Sequence, residues 1–174
     1  MTKKTVLVVT GPTASGKSAL ALAFARLRGG CVINADAMQT YDAFPILTAQ
    51  PTASERAAVP HALYGVLPLS RNLSAGRWSA MASAEIERCL NAGQVPILCG
   101  GSGLYIRTLM QGISPVPDVP AEIRERGNAE WESMGGAAFR ARLAERDPEI
   151  VAVLKPADRQ RHVRAWEVLE ATGK

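Results

Sequence analysis

The chain has 174 residues, 47% hydrophobic and 21% charged, with a formal net charge of +4. That size fits one domain, or one domain with a small appendage, and about 69% of the extended-chain surface can be buried. The composition excludes a mostly disordered chain, and no apolar run approaches the ~18 residues that span a bilayer. The positive excess permits a polyanionic partner without requiring one. It lies in the first part: residues 1–121 carry 10 basic and 6 acidic side chains, and residues 122–174 carry 10 of each.

The apolar stretch after Lys3 and Lys4 is too short for a signal peptide and runs into Gly11-Pro12 without a cleavage site. A soluble, cytoplasmic protein is therefore expected. Thr5–Thr10 is a short β-branched run, the pattern of a buried parallel strand. Helix formers from Ala19 to Arg28 follow, closed by Gly29-Gly30. Cys31–Asn34 reads as a second strand, Pro45, Pro51 and Pro60 punctuate a loop, and Ala62–Leu67 reads as a third strand. Ser74 is the expected N-cap of a helix to about Asn91, with Trp78, Ala82, Ile86 and Cys89 on one face. Val95–Cys99 gives a fourth strand, and Gly100-Gly101-Ser102-Gly103 opens a helix to about Gln111.

Strands alternating with helices at this spacing imply right-handed crossovers and a parallel sheet. The expected class is α/β: a P-loop NTPase-like parallel sheet with flanking helices over 1–113. A proline-rich linker over 114–120 leads to a helical region over 121–174, with helices near 121–133, 136–146, 148–154 and 157–171. The odd cysteine count, Cys31, Cys89 and Cys99, fits neither a disulfide framework nor a zinc site, so buried thiols are expected. His61 and His162 lack metal-ligand spacing, and Trp78, Trp131 and Trp166 read as core anchors.

Gly11-Pro12-Thr13-Ala14-Ser15-Gly16-Lys17-Ser18 satisfies the phosphate-loop pattern and lies between a strand and a helix N-terminus. The amides of Ala14 to Ser18 can cradle a polyphosphate, Lys17 neutralises its charge, and Ser18 can ligate Mg²⁺. Asp36 follows the second strand, at the sheet edge where open α/β folds bind ligands. It is either a general base or an outer ligand of Mg²⁺. Ser102 leaves the fourth strand at the same edge and either contacts a substrate or N-caps the next helix. Gln160-Arg161-His162-Val163-Arg164 is a basic cluster whose arginines share a helix face and can track a phosphate backbone.

Taken together and in order, Gly11–Ser18, Asp36-x-x-Gln39, Thr48–Thr52, Pro60-His61, Gly100–Tyr105 and the Asp158–Val168 run resemble the tRNA dimethylallyltransferase family, the IPP transferases. The resemblance covers essentially the whole chain. It implies transfer of a dimethylallyl group from dimethylallyl diphosphate to N6 of adenosine at tRNA position 37, by a cytoplasmic monomer using Mg²⁺. Asp36 would then be the general base on the adenine amine, Ser102 would position that amine, and the P-loop would hold diphosphate. Asp36, Ala37, Met38 and Gln39, with Ser102, Arg124 and Gln160, Arg161, His162, Val163 and Arg164, would contact the tRNA anticodon stem-loop.

The sequence departs from the family in having Ala37 where Ser is usual, Gln50 where Lys is usual, and Ser102 where Thr is usual. It is also shorter than the family's members, which reads as a C-terminal truncation with reduced or absent turnover. Two other readings compete: a small-molecule P-loop kinase, in which Asp36 binds an acceptor hydroxyl, and an inactive tRNA-binding fragment.

Overall fold

A computed structural model describes residues 5–113 and 119–173. Contacts divide the chain into two compact units, Met1–Ile113 and Ser114–Lys174. Most of the expected linker, Ser114 to Asp118, lies outside the described residues.

The first unit runs β1 (Leu7–Thr10), α1 (Lys17–Arg28), β2 (Gly30–Asn34), a 3₁₀ turn (Met38–Thr40), α2 (Ala53–Ala58), β3 (His61–Ala62), α3 (Ala75–Asn91), β4 (Val95–Gly100) and α4 (Gly103–Gln111). Its four strands are all parallel and ordered β1-β4-β2-β3. Successive strand residues face opposite sides, which sorts the apolar side chains into two layers. Val32, Ile97 and Cys99 pack with Ala21 and Ala25 of α1. Cys31, Ile33 and Leu98 pack with Trp78, Ala82 and Cys89 of α3 and Tyr105 and Ile106 of α4. Small residues on α1 let it lie close to the sheet, and Gly30 completes that fit. A Cβ there would meet the Val95 carbonyl at 2.8 Å and Ile97 Cδ1 at 2.9 Å.

The expected third strand is cut to His61–Ala62. Leu63 and Gly65 have φ of 63° and 62°, a left-handed geometry that no strand accommodates. The apolar run is buried instead as an irregular turn, with Leu63, Tyr64 and Leu67 in the core. Helix starts behave as expected at Ser74, whose side chain accepts from the Arg77 amide. All three cysteines are free and buried.

The second unit is helical: α5 (Ala121–Ala144), α6 (Pro148–Val153) and α7 (Arg159–Thr172). Gly135, at φ 79° and ψ 158°, breaks α5 where the sequence places a gap between two helices. Asp147 and Asp158 cap α6 and α7 by accepting from the Ile150 and Arg161 amides. Phe139, Leu143, Val151, Val163, Trp166 and Leu169 form the core. Glu170 of α7 pairs with Arg126 and Arg146, which hold its carboxyl below the usual range, Arg146 foremost. No helix among the described residues is long and apolar enough to cross a membrane.

Candidate active site

The phosphate loop leaves β1 and closes on α1. Ala14 and Gly16 adopt φ of 62° and 79°, which turns the backbone sharply enough to wrap an anion. No side chain caps α1. Its first-turn amides and positive dipole end are therefore left for a ligand. Lys17 Nζ donates to the Pro12 carbonyl at 3.0 Å, so the ammonium already arches over the loop.

Asp36 stands just beyond β2, and its position is set by Asn34, the last residue of that strand. Asn34 is fully buried. Its Oδ1 accepts from the Asp36 amide at 2.8 Å. Its Nδ2 donates to the Asp36 carbonyl at 2.9 Å, the Leu63 carbonyl at 3.0 Å and Thr40 Oγ1 at 3.1 Å. Asp36 Oδ1 accepts from the Met38 amide at 3.0 Å, which fixes the carboxylate at the start of the 3₁₀ turn. Trp78, stacked on Tyr105, donates its indole N–H to the Asn34 carbonyl at 3.1 Å.

Of the two roles that the sequence left open for Ser102, the structure bears on the cap alone. The residue occupies the N-cap position of α4 but makes no side-chain cap. Its Oγ accepts from the Ala37 amide at 2.9 Å, and its amide donates to the Ala35 carbonyl. Among the described residues its hydroxyl proton has no acceptor. Close approach here depends on glycines. A Cβ on Gly100 would fall 2.1 Å from the Ala35 carbonyl carbon and 2.6 Å from the Asp36 amide. A Cβ on Gly101 would lie 3.5 Å from the Gly11 carbonyl and 3.9 Å from Asp36 Oδ2, so that residue sits between phosphate loop and carboxylate. The Cys99 thiol registers the same neighbourhood. Burial pushes its pKa up, Ser18 and Lys17 pull it down, and Asp36 raises it.

Gln39 ties down the following loop, donating to the Thr48 and Ala49 carbonyls at 2.8 and 3.0 Å. Gln50 donates to the Tyr41 carbonyl at 2.7 Å and accepts from Arg56 at 3.4 Å, so a cation stands near the position where Lys was expected. A cavity of about 50 Å³ links Ser18 to Gln50, Glu55, His61 and Tyr64. Met38 is 60% exposed beside the carboxylate.

In the second unit the basic row divides by face. Gln160, Arg161 and Arg164 are exposed, while His162 is fully buried against Trp131 and Val163 belongs to the core. The expected RNA contact by the His162 side chain is corrected: its Nδ1 lies 2.8 Å from the Asp158 carbonyl inside the fold. Arg124 is exposed on α5. The sequence reading missed Asn34, whose signal would have been an amide at a strand end two residues before the carboxylate.

The oxygen donors Ser18 and Asp36 suit a hard cation. Mg²⁺ is held by few protein oxygens and keeps its waters. No cluster of three or more His, Cys, Asp or Glu with metal-holding geometry occurs among the described residues.

A phosphate loop on a parallel sheet, facing an anchored carboxylate and hydroxyl across a glycine pair, defines a P-loop α/β protein. A family model described as IPP transferase matches residues 39–174. The tRNA dimethylallyltransferase of Rhodospirillum centenum is 50% identical over 169 residues, 97% of this chain and 54% of that protein. The Paramagnetospirillum magneticum protein of the same name is 49% identical over 99% of this chain and 55% of its own length. Among solved structures, a eukaryotic dimethylallyltransferase acting on tRNA is 30% identical, with a TM-score of 0.82 over 99% of this chain and 43% of that one. The chain belongs to the IPP transferase family, and it spans about half the length of the curated relatives it matches.

Proposed function

We propose that the protein transfers a dimethylallyl group from dimethylallyl diphosphate to N6 of the adenosine at position 37 of tRNA, releasing diphosphate. The observation that carries this reading is the juxtaposition across Gly101 of the phosphate loop and the Asp36 carboxylate. The names of the relatives support the choice of prenyl transfer over phosphorylation.

The chemistry follows from the residues. Departure of diphosphate builds negative charge, which Lys17 and the amides of Ala14 to Ser18 stabilise. Ser18 would hold Mg²⁺, which adds charge neutralisation when bound. As N6 attacks the allylic carbon, the Asp36 carboxylate takes its proton, a task for a fixed base within hydrogen-bond reach. The free hydroxyl proton of Ser102 orients the acceptor. An adenine stacked in the anticodon loop must be extruded to reach this site. Ala37, Met38, Gln39 and Arg124, with Gln160, Arg161 and Arg164, serve the tRNA contact, and Val163 supports that row from behind. The active species is a cytoplasmic monomer, with a core over 1–113 and a tRNA-facing region over 121–174.

Incubation of unmodified tRNA with labelled dimethylallyl diphosphate and Mg²⁺ tests this. Label on tRNA that is lost with Asp36→Ala supports the reading. Phosphate transfer from ATP to a small metabolite, with tRNA unlabelled, refutes it. tRNA binding without label by this chain, when a full-length relative labels the same tRNA, identifies a binding fragment.

A further inference from the structure

Face-sorting of α7 leaves one feature that phosphate tracking does not explain. Gln160, Val163, Arg164 and Glu167 line a groove of about 390 Å³ together with Asn128 of α5 and Arg159. Glu167 is the anomaly. Its side chain is only 10% exposed, and it accepts from Arg164 Nη1 at 2.9 Å. A buried carboxylate in a groove for phosphates repels the ligand and neutralises the arginine meant to hold it. The pair makes sense for a neutral ligand whose edge sets a donor beside an acceptor.

The rest of the groove fits that ligand. Gly127 lets α5 approach α7, since a Cβ there would meet Trp166 Cε3 at 2.8 Å and Val163 Cγ1 at 3.4 Å. Val163 then supplies an apolar wall. Asn128 is fixed by donating to the Arg124 carbonyl at 2.8 Å and accepting from Arg159 at 3.1 Å, while Arg159 also pairs with Glu132. The Gln160 side chain makes no hydrogen bond among the described residues, so its amide is available as both donor and acceptor.

We propose that this groove seats one unstacked nucleobase of the RNA substrate, with Glu167 accepting from its Watson–Crick edge and Arg164 donating to the adjacent acceptor. Single-stranded RNA loops are read in this way, on bases splayed out of the stack. The inference rests on the tRNA reading above and deepens it, assigning Glu167 and Asn128 to recognition. Arg161 lies outside the groove, and although paired with Asp158 its side chain is 70% exposed, so it faces solvent where the backbone can reach it.

The test is a double-mutant cycle between protein and RNA. Binding of an unmodified anticodon stem-loop, and of a series with each loop nucleotide in turn made abasic, is measured for the 174-residue chain and Glu167→Gln. The expected result is that Glu167→Gln weakens the intact stem-loop about tenfold. One abasic position should weaken the parent chain about tenfold and the variant less than about twofold. Unchanged or tighter binding by Glu167→Gln, as neutralising a carboxylate in a phosphate groove would give, overturns the proposal. So do abasic penalties equal in both proteins. If Glu167→Gln melts early, the exposed Gln160→Ala carries the cycle, with coupling at one loop position expected and its absence decisive against the groove. Failure of the parent chain to bind any stem-loop sinks the tRNA reading itself, a result distinct from binding without coupling.

Discussion

Replacing Asn34 by alanine removes the single side chain that holds Asp36 from both of its backbone groups. Three of its four bonds set the cost, since Thr40 Oγ1, which accepts the fourth, keeps its own bond to the Asp36 carbonyl. The Leu63 carbonyl is buried and loses its 3.0 Å donor, a desolvation penalty of about 1–3 kcal/mol. The Asp36 amide and carbonyl are only partly buried, and Thr40 Oγ1 still donates to that carbonyl at 3.1 Å. Water recovers part of the loss there, which leaves about 1 kcal/mol. The sum is about 2–4 kcal/mol, a large share of the 5–15 kcal/mol typical of a domain. Urea unfolding followed by circular dichroism reads this directly. With a urea dependence of about 2 kcal/mol/M, the midpoint falls by about 1–2 M. The exposed Asn91→Ala, at the end of α3, should leave it unchanged. A midpoint within about 0.3 M of the parent would refute the reasoning, because water would then satisfy every group that Asn34 leaves behind.

Three further outcomes are expected. Asp36→Ala should abolish prenyl transfer while tRNA affinity stays within about threefold in filter binding; equal loss of both would make Asp36 a binding group. Gly100→Ala should destabilise the first unit by more than about 2 kcal/mol in thermal melts, because its methyl would overlap the Ala35–Asp36 peptide. A melt within a degree of the parent would show that the loop yields freely. Burial, with the neighbouring Cys89 adding to it, pushes the Cys31 thiol up from 9.0 to about 12. A pKa raised by folding contributes stability below the unfolded value and loses it above, so stability should fall as pH climbs from 9 towards 12. Iodoacetamide at pH 8.5 should spare Cys31 in the native chain and label it in urea, and rapid native labelling would contradict the burial.

What the sequence disclosed was mostly local chemistry with a fixed spacing. The phosphate loop, the Ser74 cap and the break at Gly135 each follow from residue types acting on their own backbone. Ala62–Leu67 misled because apolar residues are buried equally well in a strand and in a tight turn. Only the positive φ of Leu63 and Gly65 separates the two. Ser102 stayed ambiguous for a related reason: the cap position is set by neighbours in sequence, whereas the hydroxyl's partner, Ala37, is 65 residues away. Asn34 and Glu167 were invisible as functional groups because their meaning lies in long-range partners and in burial. A polar residue among apolar ones, such as Glu167 between Trp166 and Val168, was the signal available.

The sheet order has a consequence for the sequence of events in folding. β4 lies between β1 and β2, pairing Leu7 with Ile97 and Gly30 with Val95. On the ribosome, β1, α1 and β2 emerge long before the strand that joins them. Until residue 100 is available, neither β1 nor β2 has its central partner, and the glycine pair that separates phosphate loop from carboxylate does not exist. Non-local parallel pairing of this kind is slow, since the loop-closure cost precedes the reward. The helices of the second unit take their turns from neighbours in sequence, and their shared core is complete once α7 has joined α5 and α6. The phosphate loop, translated well before β4, is thus among the last parts of the first unit to acquire its working geometry.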